Sequence, residues 1–237
     1  MTETRKAGYG QYCPLSMAAE FLCTRWTLLI LREMTFGAQT FNHISRGVPR
    51  MSRTLLSKRL KELIAIGLVS NERSNKDQSA YQLTPAGKAL RPVIFSIADW
   101  SQEWLRSEPS LENVDADLLL WNIRRHAKAH PSLPRSFVVH FSLSDQPTKR
   151  RDSWLLFEND QVDLCIIDRN FDVDVEIACT AAVLTSIWMG WSNLDEEVKT
   201  GRLSLNGPRK YTCLAEHWLG HSRLASIEKQ PPKLQIN

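Results

Sequence analysis

The chain lacks most of what marks the common enzyme, scaffold and membrane classes. No stretch is long and apolar enough to span a bilayer. No apolar segment follows the charged start MTETRKAGYGQY, so a secretory leader is not expected. The five cysteines, at 13, 23, 165, 179 and 213, form no CxxC pair, and their odd number argues against both a disulfide framework and a zinc cage. No GxxxxGK[ST], GxGxxG or GxSxG occurs, so the usual phosphate-cradling and nucleophile-elbow signatures are missing. HWLGH puts His217 and His221 four apart, as zinc ligands on a helix would be. Trp218, however, stands where H-E-x-x-H carries its general base, and Gly220 weakens the helix. His126 and His130 in HAKAH read as a solvated helix face. No repeat or low-complexity tract is present. The expectation is a soluble cytoplasmic protein with reduced thiols, no metal or cofactor, and no catalytic role.

The 237 residues allow one large domain or two ordinary ones, and a hydrophobic fraction of 43% is enough for sizeable cores. The net charge of +4 hides an asymmetry. Residues 1–110 hold 15 Lys and Arg against 9 Asp and Glu, a balance of +6. Residues 111–237 hold 15 against 17, a balance of −2. Such a split suggests that only the N-terminal half faces a polyanion.

The first half reads as helices, a hairpin and a long helix. CPLSMAAEFLC is a short apolar helix. TRWTLLILREMTFG follows, with Thr24 as cap, apolar residues nearly all round, and Gly37 ending it. QTFNHISRGV carries Phe41, Ile44 and Val48 on one face. Ser52 caps the next helix, in which Leu56, Leu60, Leu63 and Ile64 form one stripe and Gly67 is the stop. LVSNERS and SAYQLT are two short strands. Thr84 and Pro85 open a helix of roughly 20 residues, about 30 Å, with Pro92 as a kink. Ala86, Leu90, Ile94, Ile97 and Trp104 line one side of it. The polar stretch SEPSLENVDAD marks a boundary. It divides a domain over 1–108 from one over 109–228, with a tail over 229–237. Beyond the boundary, ADLLLWNIRRHAKAH is a helix. RSFVVHFSLS, DSWLLFEN, QVDLCIIDR and VDVEIACT are strands. AAVLTSIWMGW and LDEEVKT are helices, GRLSLNGP a strand and RKYTCLAEHWLG a last helix. The fold class is therefore a mainly α N-terminal domain plus an α+β C-terminal domain with a mostly antiparallel sheet.

Two short helices, a tight turn and a basic helix have the outline of a helix-turn-helix, and the two strands supply a wing. In that geometry the second helix enters the major groove, N-terminal residues against base edges. With the Leu56–Leu60–Ile64 stripe turned inward, Thr54, Lys58 and Lys61 point outward, and Arg53 and Ser57 flank them. Arg pairs bidentately with guanine, and hydroxyls suit phosphates or bases. Residues 40–62 carry Arg46, Arg50, Arg53, Lys58, Arg59 and Lys61 against Glu62 alone. Arg73 and Lys76 add charge at the wing. The expected DNA-contacting set is Arg50, Arg53, Thr54, Ser57, Lys58, Lys61, Arg73 and Lys76. The competing reading of these charges is a solvated helix face.

From Cys13 to Trp100 the chain resembles the HxlR-type winged helix-turn-helix regulators. The residues that carry the likeness are Cys13–Pro14, Trp26–Glu33 (WTLLILRE), Phe41–Asn42, the Ser52-capped LSKRLKEL of residues 56–63, and Tyr81–Gly87 (YQLTPAG). The resemblance implies a bacterial transcription regulator that binds double-stranded operator DNA as a homodimer, paired through its N-terminal helix and the long helix after the wing. It also implies that Cys13 sits where some such regulators carry a redox-sensing thiol. A buried, inert thiol is the competing expectation, because reactivity needs access and a depressed pKa.

Five of the eight tryptophans, Trp121, Trp154, Trp188, Trp191 and Trp218, lie in the second half. They fill a core or surround a cavity. Residues 193–220 are similar to the end of the sterol carrier protein domain: Gly201, Leu203, Leu205 and Gly207 match its strand and turn. That likeness implies an apolar tunnel, an apolar small-molecule effector, and a cavity near Trp188, Met189, Trp191 and Trp218. Two alternatives remain open. One is a lipid-binding carrier that keeps the winged helix for dimerisation. The other is a regulator whose second domain only extends the dimer.

Overall fold

The computed structural model describes residues 8–73, 79–105, 114–158 and 161–230, with the side chains of residues 73 and 79 excepted. The chain divides into two compact units, Met1–Ile97 and Ala98–Asn237, and the division falls within a helix.

The first unit contains α1 (Pro14–Leu22), α2 (Thr27–Thr35), α3 (Phe41–Gly47), α4 (Arg53–Ala65), the hairpin β1 (Val69–Arg73) and β2 (Ser79–Leu83), α5 (Pro85–Ala89) and the start of α6 (Arg91–Trp104). This is a winged helix. Ile30, Leu31, Ile44, Leu56, Leu60 and Leu63 close its core with exposures of 2% or less. Each such burial contributes roughly 1.5–3 kcal/mol, which outweighs the modest helix propensity of these segments. Ser52 accepts from Leu55 N–H and Thr84 from Gly87 N–H, as the sequence suggests, and Thr40, which the sequence reading did not single out, accepts from His43 N–H.

Two helix boundaries differ from the sequence reading. Thr24 does not cap α2, which begins at Thr27 after Trp26 in the left-handed region at φ 80°. Thr24 instead bonds back to Glu20 O, so the chain turns before the helix starts. The long helix after the wing is two helices, broken at Leu90 rather than kinked at Pro92. Pro92 occupies the first turn of α6, where a missing N–H costs nothing.

Short motifs here have packing reasons. Glu33 is fully buried and pairs with Arg32, which also donates to Gly47 O at 3.0 Å. A Cβ on Gly47 would lie 2.0 Å from the Glu33 carboxyl carbon, so the Arg32–Glu33 pair and a bare backbone at the end of α3 are one device. The T-x-x-G of residues 84–87 is another. Thr84 bonds Gly67 O through its hydroxyl at 2.7 Å and Leu68 O through its N–H at 3.1 Å. A Cβ on Gly87 would lie 2.2 Å from Leu68 O. Gly→Ala inside a helix normally gains up to about 1 kcal/mol. At Gly87 we expect the opposite, a loss of about 1–3 kcal/mol, read as a lower urea midpoint, because the intruded atom is backbone and cannot swing away.

The second unit is α+β. Its elements are α7 (Ala116–His126), β3 (Ser136–Leu143), α8 (Thr148–Arg151), β4 (Asp152–Glu158), β5 (Gln161–Cys165), β6 (Val175–Cys179), α9 (Ala181–Trp188), α10 (Leu194–Lys199), β7 (Ser204–Asn206), α11 (Arg209–Thr212) and α12 (Ala215–Leu219). The strands form one sheet ordered β5-β4-β3-β6-β7. The sheet is mixed: β6 runs parallel to β3, and the other pairings are antiparallel. The parallel pair arises because β5 and β6 point the same way with two strands between them. The connection must then cross a face of the sheet, where Phe171 meets Trp154 at 6.0 Å. Phe137, Val139, Phe141 and Leu143 of β3 point to the other face, all fully buried with Leu119, Ile123, Leu184 and Trp188 of the helices. The last helix expected from RKYTCLAEHWLG is two short ones, separated at Cys213–Leu214.

Cys179, at the end of β6, is buried against this core. Burial first, and the Asp145 carboxylate second, push its thiol up to about 12. An unfolded cysteine ionises near about 8.5. Between the two values the native state retains a proton that the unfolded state releases, so stability falls as pH rises. We expect wild type to lose up to roughly 1.4 kcal/mol per pH unit above about pH 9 relative to Cys179→Ala, in paired denaturant titrations.

Candidate nucleic-acid interface

The face of α4 turned away from the core is the strongest candidate surface. Leu56, Leu60 and Leu63 are the buried positions of the helix, whereas Ile64 is half-buried. Arg53, Thr54, Lys58 and Lys61 are exposed and Ser57 is half-buried beside them. Arg46 and Arg50, on α3 and the turn, are exposed too. The turn is closed by Val48 N–H to Ser45 O at 3.2 Å and Met51 N–H to Val48 O at 2.9 Å. Five cations of the helix-turn-helix, Arg46, Arg50, Arg53, Lys58 and Lys61, are therefore solvent-exposed. Arg73 ends β1, and Lys76 lies outside the described residues.

Two arginines differ from their sequence reading. Arg59 does not project with the others: its guanidinium pairs with Glu62 and also donates to Arg25 O at 3.3 Å. Its charge is compensated within the fold. Arg53 is exposed but held, 3.0 Å from Asn42 Oδ1, with its guanidinium 4.7 Å from the Phe41 ring centroid. The sequence motif shows the Phe41–Asn42 pair without revealing this role for it. The signal available is the pair's position at the opening of α3, 11 residues before the arginine. The arrangement fixes a planar cation at the N-terminal end of α4 while leaving most of its five donors for another acceptor.

Cys13 is the N-cap residue of α1 and is exposed, which corrects the expectation of a buried thiol. The N–H groups of Ser16 first and Leu15 second hold its thiol below the ordinary cysteine range, although the sulfur makes no capping hydrogen bond of normal length. None of α1 is buried, and Leu15, Met17 and Phe21 are exposed by 77%, 55% and 47%. On α6, Val93, Ile97 and Trp100 are exposed by 45%, 47% and 49%. These are large apolar side chains without cover in one copy of the chain.

In the second unit the tryptophans are mostly core. Trp218 is fully buried, its indole N–H donating to Tyr211 O at 3.0 Å and its ring meeting Phe137 at 5.6 Å. Trp188 is buried against His126. Met189 and Trp191 are half-buried at the end of α9. None of these four lines the pocket of about 450 Å³ that lies among Ala129, His130, Leu133, Arg135, Phe157 and Glu158. The histidine spacings do not survive folding. α12 stops at Leu219 before His221, and α7 stops at His126 before His130. His217 instead meets His130 edge-on at 4.8 Å. Among the described residues no three His, Cys, Asp or Glu side chains converge as metal ligands. No single described helix is long and apolar enough to cross a membrane.

The sequence matches the family model of HxlR-like helix-turn-helix proteins over residues 21–109. The HTH-type transcriptional regulator YvaP of Bacillus subtilis is 36% identical over 98 residues, 40% of this chain and 91% of that one. The HTH-type transcriptional regulator Rv3095 of Mycobacterium tuberculosis is 39% identical over 127 residues, 52% of this chain and 73% of the relative. Among solved structures, the reduced form of the transcriptional regulator YodB from Bacillus subtilis is 29% identical with a TM-score of 0.36, covering 42% of this chain and 98% of that one.

Proposed function

The chain belongs to the HxlR-like helix-turn-helix family of transcriptional regulators, and from that membership we propose that it binds operator DNA as a homodimer under control of its C-terminal domain. The observation that carries the DNA reading is the oriented Arg53 beside Lys58 and Lys61 on the exposed face of α4. Arg53 and Thr54 read base edges. Arg50, Ser57, Lys58 and Lys61, with Arg73 and Lys76 at the wing, meet phosphates. The exposed apolar residues of α1 and α6 are covered by the second copy, which sets two recognition helices about 34 Å apart over successive major grooves. The two-fold axis then requires an inverted-repeat operator. The C-terminal domain is sterol-carrier-like, by the likeness of its Gly201–Gly207 strand and turn, and takes an apolar effector at the α9 end, near Trp188, Met189 and Trp191, with Trp218 as packed backing. The domain over 109–228 is the sensing half of a cytoplasmic protein.

The test is selection of bound duplexes from a random pool at physiological salt, using wild type and Arg53→Ala/Lys58→Ala. Recovery of an inverted repeat by wild type and its loss in the double variant supports the proposal. No enrichment by wild type sinks it in favour of the carrier reading, in which the winged helix serves dimerisation alone.

Cys13 supplies a thiol input by the same geometry. It is exposed and its thiolate is favoured by the start of α1. Iodoacetamide should therefore modify Cys13 with a half-maximal rate at a lower pH than free cysteine, and mild peroxide should reduce operator affinity in wild type but not in Cys13→Ser. Equal affinity before and after oxidation removes the redox role.

A further inference from the structure

The last described stretch of the chain, Ser222–Gln230, has no regular secondary structure, yet it is bound at both sides. On one side it lies against the end of α9. Ser222 N–H donates to Trp188 O at 2.8 Å, and the Lys229 ammonium sits 5.4 Å from the Trp191 ring centroid. Gly190, at φ 72°, is the seat: a Cβ there would meet Ala225 O at 2.7 Å and Ala225 Cα at 2.9 Å. On the other side it holds the C-terminal end of α6. Arg223 pairs with Asp99, Gln230 N–H donates to Glu103 O at 2.8 Å, and Lys229 Nζ donates to Leu105 O at 2.8 Å. All of these residues belong to the unit Ala98–Asn237. Lys229 and Gln230, which the sequence assigns to a tail, are therefore structural.

The hydrogen-bond partners define what this segment does. The carbonyls of Glu103 and Leu105 belong to the last turn of α6 and its exit, groups that a helix leaves without internal partners. The segment supplies those partners from a chain that also rests on Trp188, Gly190 and Trp191. We infer that Ser222–Gln230 is a coupling strap, through which the state of the α9 end sets the order of the C-terminal end of α6. This deepens the regulator reading and rests on it. A change at Trp188–Trp191 lifts Ala225 from its seat, and the anchors on Asp99, Glu103 and Leu105 go with it. The freed helix end then loses order that a two-fold DNA reader needs before binding, and affinity falls because that order must be restored on the operator.

The experiment compares the full-length wild type with Gly190→Ala, which fills the seat, and Arg223→Ala, which removes one anchor while leaving the core intact. Amide hydrogen exchange at Ser101–Leu105 and affinity for the selected operator are both measured, with exchange at Phe137–Leu143 as the check that the sheet stays folded. The expected result is exchange at least fivefold faster at Ser101–Leu105 and operator affinity at least threefold weaker in both variants, with the sheet unchanged. Faster exchange with unchanged or tighter operator binding overturns the coupling and leaves the segment a structural tie. Unchanged exchange in Arg223→Ala shows that the strap does not hold α6. A wild type that enriches no DNA instead removes the regulator reading, and the inference with it.

Discussion

Arg53→Ala is expected to weaken the proposed operator binding by about 1–3 kcal/mol and to relax preference at one base pair per half-site. The side chain sits at the N-terminal end of α4, with its guanidinium plane set by Asn42 and Phe41. Asn42→Ala should thus reproduce part of the loss without touching DNA. In a double-mutant cycle the two changes should be non-additive by at least about 0.5 kcal/mol, because the residues share one interaction. Lys61→Ala behaves differently. It lowers affinity for all sequences alike and makes the slope of log affinity against log salt shallower by about 1, as expected when one fewer phosphate is neutralised. Equilibrium binding of selected and scrambled duplexes between about 50 and 200 mM salt separates the two patterns. Equal, small effects from Arg53 and Lys61 would mean that another face of the winged helix meets DNA. Arg59→Ala serves as the internal contrast. Its charge is taken up by Glu62, so it should change the salt slope little.

Trp218→Ala is expected to cost the C-terminal unit about 3–5 kcal/mol of stability. The ring is fully buried, packs on Phe137, and donates its N–H to Tyr211 O. Truncation leaves a cavity in a packed core and removes one hydrogen bond; Tyr211 O still accepts from Leu214 N–H at 3.1 Å, so the cavity is the main cost. Trp218→Phe restores much of the volume but not the donor, so it should lose less. A fall in thermal midpoint of roughly 6–20 °C for Ala is expected if about 2–4 °C accompanies each kcal/mol. Trp191→Ala, at a half-buried position, should cost far less stability and bear instead on effector binding. A Trp218→Ala variant as stable as wild type would show that the indole lines empty space rather than core.

Much of the first unit is legible because its signals are local. The caps at Ser52 and Thr84, the Leu56–Leu60–Leu63 stripe and the stop at Gly67 each involve residues within one or two turns. The failures there have identifiable causes. Thr24 has the chemistry of a cap, but Trp26 adopts a left-handed conformation that sequence spacing cannot foresee. Pro92 suggests a kink, yet the break comes at Leu90, where the packing of Gly87 against Leu68 O constrains α5. In the second unit alternation reveals the strands but not the parallel β3–β6 pairing. Alternation reports which face a side chain takes and says nothing about strand order. Composition favours core for the tryptophans, the cavity entering only with the sterol-carrier likeness, and only their exposures separate Trp188 and Trp218 from Trp191.

By itself the sequence determined the helices and hairpin of the first unit, the charge asymmetry and the basic character of α4, which follow from periodicity, capping chemistry and charge count, while the family came from the resemblance of its motifs. Tertiary structure alone decided which arginines of α4 stay exposed and which are drawn into the fold. It held Arg53 with Asn42 and drew Arg59 to Arg25 O. It ended α12 before His221 and brought His217 to His130, exposed Cys13, and tied the final described residues to α6. Most of these pairings join residues distant in the chain, and they are set by how elements pack, not by the residues adjacent in sequence.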